Sequence, residues 1–289
     1  MIKTVSFHAE TPGPRLLVTG GVHGNETCGV EGIKRIIPEI EQGKIELLRG
    51  HLTFVPVCNP RAYAQGVRYT ERNLNRNLLP QDEPDCYEAR LGNILCPILA
   101  QCDYLLDIHS YSAGGPPFVF INTAQVDKMD FAASLGADTI ISGFAEALAG
   151  STRQSGDPVN WSVGTTEYAQ MHGAIVTTLE CGQHKDPAGP DIAYQAILRA
   201  LGFLGMIATQ QKPAAKPRHV LMKLVFYRDD DGKFAKPWKH LERVGPGELI
   251  ATCANGEEFR APAQGGVIVL PHAETPLGQE WFYLGSEAG

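Results

Sequence analysis

The sequence predicts an α/β layered fold followed by a small β domain, and three observations support this prediction. In the longer N-terminal part, short apolar runs alternate with segments whose apolar residues recur at helical intervals, as in layered domains with a buried sheet. A polar, proline-bearing stretch at residues 210–217 is typical of a linker. Beyond it, β-type runs at 219–230, 247–271 and 280–285 are separated by Gly, Asn-Gly and Pro turns, without a convincing helix. We therefore predict two domains, residues 1–212 and residues 213–289.

The elements of the first domain follow from where apolar runs stop and how their residues are spaced. Strands are predicted where a short apolar run ends at glycine or at a polar residue, and helices where apolar residues keep helical spacing, as Val30, Ile33 and Ile37 do. The predicted strands span residues 16–19, 52–57, 104–108, 118–121 and 174–179. The predicted helices span residues 25–37, 85–102 (interrupted by Pro97), 137–148 and 191–208.

Composition and charge argue against several classes of protein. The formal net charge of −7 argues against nucleic-acid binding, which needs a basic surface. The first residues lack the apolar core of a signal peptide, and no stretch approaches the roughly 20 apolar residues of a membrane span. The 7 cysteines are dispersed without a CxxC pair, so neither a disulfide framework nor a thiolate zinc site is expected. We therefore expect a cytoplasmic protein with no nucleic-acid or membrane partner.

The first motif that carries chemistry is GGVHGNE, in which His23 and Glu26 follow the first predicted strand. An imidazole and a carboxylate at this spacing can share one zinc ion. The pair alone is a weak signal and is more often solvated. Glycines on both sides of His23 strengthen it, because a tight turn after a strand exposes its side chains at the edge of the sheet.

The second motif is LLDIHSY, where an apolar strand ends at His109. The carboxyl end of a strand is the usual place for an active site in α/β sheets, although a hydrogen-bonded histidine would also fit there. Asp107 lies on the same strand face and could support the histidine. Two histidines and one glutamate, with water in a fourth position, would form a catalytic zinc site rather than a structural one.

A third apolar strand ends at Glu180 in the motif TLECG. Such glutamates are usually solvated, but beside a zinc-bound water Glu180 would act as a general base and then return the proton to the leaving amine. A different chemistry stays open at this point. Cys181 could be a nucleophile if His184 served as its base.

The long connection between the second strand and the second helix contains four arginines, Arg61, Arg68, Arg72 and Arg76. Long irregular connections in compact domains tend to be functional. Guanidinium groups suit a substrate carboxylate and a developing oxyanion, because their planar fork donates paired hydrogen bonds. Arg61 and Arg72, taken singly, are better explained as solvated side chains paired with nearby acids.

Together these motifs resemble the succinylglutamate desuccinylase/aspartoacylase family, which is related to the zinc carboxypeptidases. The matching motifs, in order, are GGVHGNE, NPRA with RYTERNLNR, DIHS and TLECG, and they extend from His23 to Gly182. The resemblance implies a carboxypeptidase-like α/β/α layered domain with a mixed sheet, and a C-terminal β domain that flanks the entrance to the active site. It implies one Zn²⁺ per chain held by His23, Glu26 and His109, Arg68 polarising the scissile carbonyl, Asn75 and Arg76 holding a substrate carboxylate, and Glu180 as acid/base.

Two features depart from the family pattern. Asn73 stands where some aspartoacylases carry an acidic residue, and the segment 166–170 does not match the residues with which aspartoacylases recognise a carboxylate. Strict specificity for N-acetylaspartate is therefore not implied. Tyr168 and Tyr283 could each reach a substrate, but packing with a hydrogen-bonded hydroxyl explains either residue.

The function expected from these residues is hydrolysis of the amide between a short acyl group and an amino acid or a similar amine that bears a carboxylate. The partner is then a small-molecule N-acyl amino acid, and a homo-oligomer stays open. Two alternatives are a carboxypeptidase-like peptidase, which could use the same metal and acid/base set, and a non-catalytic module that holds an anion with the arginine segment. Fold alone does not decide between them.

Overall fold

The computed structural model describes residues 1–144, 147, 163–208 and 216–288. The described strands before residue 212 are β1 (Val5–His8), β2 (Arg15–Thr19), β3 (His51–Val55), β4 (Tyr104–Tyr111), β5 (Phe118–Phe120), β6 (Thr139–Ser142) and β7 (Ile175–Gln183). The described helices are α1 (Cys28–Glu41), α2 (Pro60–Gln65), α3 (Tyr87–Leu99), α4 (Val126–Ser134), α5 (Thr165–Met171) and α6 (Gly189–Phe203). The later strands are β8 (Arg218–Tyr227), β9 (Lys233–Phe234), β10 (Arg243–Val244), β11 (Leu249–Thr252), β12 (Glu258–Arg260), β13 (Gly266–Val269) and β14 (Glu280–Glu287).

One mixed sheet runs through the fold, with strand order β1-β3-β2-β4-β7-β5-β6-β8-β14-β13-β10. The neighbours β3, β2, β4 and β7 are parallel, whereas β1 and β5 run antiparallel to β3 and β7. Because parallel strands end at the same edge of a sheet, the turns after β2, β4 and β7 meet there. A second, three-stranded sheet is formed by β12, β11 and β9.

Side chains of the parallel strands alternate between two hydrophobic clusters, one on each face of the sheet. Leu16 and Val18 of β2 pack in a cluster with residues of α1 and α6, while Leu17 between them packs in a cluster with residues of α3 and α5. This alternation follows from the two-residue period of a strand. Helices therefore cover both faces of the sheet, and the predicted α/β/α layered fold with a mixed sheet is confirmed.

The predicted helix at 137–148 is wrong where it overlaps β6, and its residues 145, 146 and 148 lie outside the described part. All four residues of Thr139–Ser142 are buried, because β6 lies inside the sheet between β5 and β8. A strand buried on both faces shows no polar/apolar alternation, so its pattern can be mistaken for a buried helix. Gly143, with a φ of 87°, then directs the chain out of the strand.

The large sheet continues across the predicted domain boundary. The boundary itself, near residue 212, lies outside the described residues. On either side of it, β6 and β8 are parallel neighbours, so the same sheet includes strands from both predicted domains. The division at residue 212 stays a prediction.

Among the described helices, none combines the length and the apolar character that a bilayer crossing requires.

Candidate active site

The turn between β2 and α1 carries His23 and Glu26, and both side chains are buried. Gly24 between them packs against α2: a Cβ atom added there would lie 2.0 Å from the carbonyl carbon of Ala62. The Gly24 N–H donates to the backbone oxygen of Arg68 at 3.2 Å. Only glycine fits this position, and the turn is thereby fixed against the arginine-containing segment.

The Glu26 carboxylate lies between two imidazole rings. Its Oε1 is 2.8 Å from Nδ1 of His23, and its Oε2 is 2.8 Å from Nδ1 of His109. The opposite ring nitrogens donate to oxygen atoms: Nε2 of His109 to Asp107 at 2.8 Å, and Nε2 of His23 to Asn73 at 3.0 Å. A neutral His23 ring with its proton on Nε2 turns its Nδ1 lone pair toward the carboxylate, and His109 would do the same once its Nδ1 proton is lost.

These three side chains fit a divalent metal ion such as zinc. Their candidate ligand atoms all lie within 4.8 Å of one another, and among the described residues no group donates a hydrogen bond to the buried Nδ1 of His23. Burial, together with the charge of Arg68, lowers the pKa of His23 to about 4, so its ring is neutral at pH 7, as a ligand must be. Burial would lower the pKa of His109, but Asp107 and Glu26 outweigh it and raise this pKa well above its ordinary value. The site therefore favours a positive charge between His109 and Glu26, and a proton or a metal cation can supply it.

The arginines of the long connection separate into two groups. Arg61 and Arg72 form ion pairs with Glu71 at 2.9 Å and Asp85 at 3.5 Å on the surface, as expected of solvated basic residues. Arg68 instead donates from Nη1 to the buried Glu26 at 2.8 Å, while its side chain stays 46% exposed. Arg68 therefore combines a fixed position at Glu26, one of the candidate metal ligands, with access from solvent.

Glu180 lies on β7 next to His109 on β4, because the two residues are partners in the parallel register of these strands. Burial, and then the charge of Glu26, raises the pKa of Glu180 to about 8. Its Oε2 atom is buried and has no hydrogen-bond partner among the described residues. A carboxyl group whose pKa is near neutral can both release and accept a proton, which is what general acid/base chemistry needs.

The predicted carboxylate-binding pair, Asn75 and Arg76, is connected to this site by hydrogen bonds. The Asn75 N–H donates to Asn73 Oδ1 at 2.9 Å, and that same oxygen accepts from His23. Arg76 donates from Nη1 to the backbone oxygen of Asn75 at 2.9 Å, and its guanidinium carbon lies 6.0 Å from the ring centre of Phe144. The segment that holds these two residues therefore borders His23, one of the candidate metal ligands.

Three further residues considered from the sequence have different surroundings. Tyr168 belongs to the hydrophobic cluster formed with α3 and its ring lies 4.6 Å from that of His172, so packing explains it. Tyr283 is buried on β14, 5.8 Å from the ring of Phe144, and burial raises its pKa well above the ordinary value. Cys181 is 1% exposed within the cluster on the α1 side of the sheet, while His184 Nδ1 lies 2.9 Å from Ser110 Oγ. This geometry does not support Cys181 as a nucleophile with His184 as its base.

Two buried residues, Glu88 and Thr165, were not indicated by any of the sequence motifs. Both hold parts of the candidate site in place through hydrogen bonds. Glu88 is 1% exposed on α3 and accepts hydrogen bonds from the segment at 70–72 and from Asn59. Thr165, at the start of α5, bonds to both Asn75 and Asp107. The one available signal for Glu88 was a carboxylate on the apolar helix face of the pattern DCYEARLGNIL. Such a group needs buried partners.

Comparison with known proteins identifies similar chains. The family model described as the succinylglutamate desuccinylase/aspartoacylase catalytic domain matches residues 12–206. An N-acyl-aromatic-L-amino acid amidohydrolase from Rattus norvegicus is 35% identical over 112 residues, which are 34% of this chain and 34% of the rat protein. A succinylglutamate desuccinylase from Vibrio cholerae is 22% identical over 297 residues, covering 96% of this chain and 82% of that protein.

Solved structures share the fold along almost the whole chain. A succinylglutamate desuccinylase/aspartoacylase from Rhodobacter sphaeroides has a TM-score of 0.76 at 18% identity and covers 99% of this chain and 90% of its own. A product-bound ectoine utilization protein from Ruegeria pomeroyi has a TM-score of 0.75 at 18% identity, with 98% and 88% covered. At this level of identity the likeness establishes the fold, and function has to be argued from the site.

Proposed function

Because the chain belongs to the succinylglutamate desuccinylase/aspartoacylase family, we propose that it is a zinc-dependent amidohydrolase that removes a short acyl group from an N-acyl amino acid or a related amine bearing a carboxylate. Curated relatives of the chain carry the names of an amidohydrolase and of desuccinylases, which are deacylating enzymes. The observation that carries the proposal is the buried Glu26 carboxylate, which faces Nδ1 of both His23 and His109 and also accepts from Arg68.

His23, Glu26 and His109 would hold the metal. A bound zinc ion would supply a Lewis acid for the scissile carbonyl and lower the pKa of water. Asp107 and Asn73 hold the two rings from behind, which keeps the Nδ1 atoms directed toward the ion. The neutral state of His23 and the low pKa of the Glu26 carboxyl, which His23 and His109 maintain against burial, suit these side chains to a cation.

Glu180 would take a proton from the attacking water and return it to the leaving amine. Its position beside His109 and its raised pKa support this role. Arg68 would donate to the oxygen of the scissile carbonyl as negative charge develops there, since its guanidinium is already fixed at Glu26 and remains open to solvent. Asn75 and Arg76 would bind the substrate carboxylate with an amide and a guanidinium group, and their segment is connected to His23 by hydrogen bonds.

The decisive experiment is a hydrolysis screen of the purified zinc-loaded protein against acetyl-, succinyl- and formyl-amino acids, with blocked dipeptides as the competing class. We expect release of free amino acid from at least one N-acyl amino acid. Cleavage of blocked dipeptides alone would instead identify a peptidase. Elemental analysis of His23→Ala and His109→Ala should show loss of stoichiometric zinc, and full retention by both variants would rule out the proposed metal site.

A further inference from the structure

We propose that Thr165 is a positioning residue that links recognition of the substrate carboxylate by Asn75 to the orientation of the metal-binding ring of His109. The proposal rests on the function proposed above. Thr165 is the first residue of α5 and is fully buried, where α5 packs against β4 and β7. Its two polar groups contact one residue of the proposed substrate site and one residue behind the proposed metal site.

Thr165 fixes the side-chain amide of Asn75. The Thr165 N–H donates to Asn75 Oδ1 at 2.9 Å, and the Thr165 Oγ1 lies 3.2 Å from the same oxygen. Since the oxygen is held there, the amide nitrogen on the other branch of this planar group is turned away from Thr165. An amide nitrogen only donates hydrogen bonds, so this nitrogen is the group that Asn75 would offer to a carboxylate ligand.

The Thr165 hydroxyl also contacts Oδ2 of Asp107. A hydroxyl has one hydrogen to donate, and an ionised carboxylate accepts more strongly than an amide oxygen does. The hydroxyl therefore donates its hydrogen to Asp107, and the backbone N–H donates to Asn75. Asp107 Oδ2 in turn accepts from Nε2 of His109 at 2.8 Å, while Thr19 donates to the other carboxylate oxygen at 2.6 Å.

A second connection links the same segment to the other histidine. The Asn75 N–H and the His23 Nε2–H donate to one oxygen, Oδ1 of Asn73, at 2.9 and 3.0 Å. Asn75 is thus connected to His109 through its side chain and to His23 through its backbone. A carboxylate bound to Asn75 would act on groups that orient the reacting centre, so its binding energy should be expressed partly in kcat and not in KM alone.

Zinc affinity provides the first test and does not depend on turnover. Thr165→Val keeps the shape and the backbone N–H but removes the hydroxyl, whereas Thr165→Ser keeps the hydroxyl. In competition with a chromophoric chelator, we expect Thr165→Val to bind zinc about tenfold more weakly than the wild type, as is typical when a group behind a metal-ligating histidine is lost, and Thr165→Ser to stay close to the wild type. Thr165→Ala, which adds no bulk, repeats the measurement if the valine variant does not fold. Equal affinity in all variants would overturn the link.

The second test separates kcat from KM. The best N-acyl amino acid of the hydrolysis screen is compared with its carboxamide, which lacks the negative charge. We expect the wild type and Thr165→Ser to favour the carboxylate in kcat, and Thr165→Val to lose most of that preference. A change in KM alone, or no change, would reject the link. If the wild type binds zinc but hydrolyses no N-acyl amino acid, the proposed function fails, while the zinc affinities still decide the role of Thr165.

Discussion

At the scale of single residues, Glu180 has a buried oxygen, Oε2, to which no described residue offers a hydrogen bond. We predict that Glu180→Gln keeps its zinc and loses about two to four orders of magnitude in kcat, the usual contribution of a general acid/base. Elemental analysis and steady-state kinetics on the same preparation would measure both. His109→Ala is the control, because it should lose metal and activity together. Unchanged turnover in Glu180→Gln would remove the residue from the proposed role.

The raised pKa of Glu180 leads to a prediction of how the stability of the metal-free protein depends on pH. Burial, followed by the charge of Glu26, raises its pKa from 4.5 to about 8 in the folded protein. The folded state therefore holds this proton more tightly than the unfolded chain, and the associated stability is fully present below pH 4.5 and is lost as pH rises through about 8. We expect the free energy of unfolding in urea to fall more steeply between about pH 5 and pH 8 for the wild type than for Glu180→Gln. Parallel curves for the two proteins would contradict the raised pKa.

At the scale of the elements, one carboxylate on α3 organises the arginine-containing segment. Glu88 Oε1 accepts from Asn59 Nδ2, the Thr70 N–H and the Thr70 hydroxyl at 2.7–3.1 Å. Its Oε2 accepts from the N–H groups of Glu71 and Arg72, both at 3.2 Å. Five donors thus meet one buried acceptor group, and Arg68 lies two positions before the first of the anchored residues, Thr70.

We predict that Glu88→Gln destabilises the protein by about 1–3 kcal/mol, because one acceptor oxygen becomes an NH₂ group that faces N–H donors. The kcat/KM value should fall as well, since the backbone of the segment carrying Arg68 loses its anchor. Urea unfolding and kinetics would measure the two effects. Glu83→Gln, on the exposed surface before the same helix, is the matched control and should change neither. Wild-type stability in Glu88→Gln would show that the segment is held by other contacts.

The sequence predicted an element well where the element was long enough and its apolar residues followed a pattern that only one type of element produces. β4 and β7 begin within one residue of their predicted starts, where the sequence is mainly apolar. They continue to Tyr111 and Gln183, beyond the predicted ends at 108 and 179, so His109 and Glu180 lie inside the last part of each strand and not just after it. α2 was missed because it has six residues, although its start shows the expected signal: Asn59 accepts from the Ala62 N–H at 3.2 Å and Pro60 follows it. β6 was mistaken for a helix because it is buried on both faces.

The same limit applies to the candidate site. Motifs at strand ends marked His23, Glu26, His109 and Glu180, since strand ends that meet at one edge can be inferred from the order of elements. The partners behind them could not be inferred in this way. Thr165 and Asn75 are 90 positions apart in sequence, and no local pattern shows that their polar groups meet.

At the scale of the whole molecule, the strands on either side of residue 212 share a hydrophobic cluster. Phe118 and Ile141 from the N-terminal part pack in one buried cluster with Val220, Met222 and Val269 from the C-terminal part. The pairing of β6 with β8 adds backbone hydrogen bonds across the same junction. Interfaces of this kind make two parts of a chain depend on each other for stability.

We therefore predict that the protein unfolds in a single thermal transition, with equal calorimetric and van't Hoff enthalpies. Met222→Ala, which opens a cavity at the junction, should lower the stability by about 2–5 kcal/mol and shift the whole transition to lower temperature. Lys223→Ala, on the exposed neighbouring position of β8, should leave the transition in place. Two resolved transitions, of which Met222→Ala shifts only one, would show that residues 1–212 and 213–289 unfold independently. A single shifted transition would mean that the edge of the sheet carrying the candidate site and the C-terminal strands are stabilised as one cooperative unit.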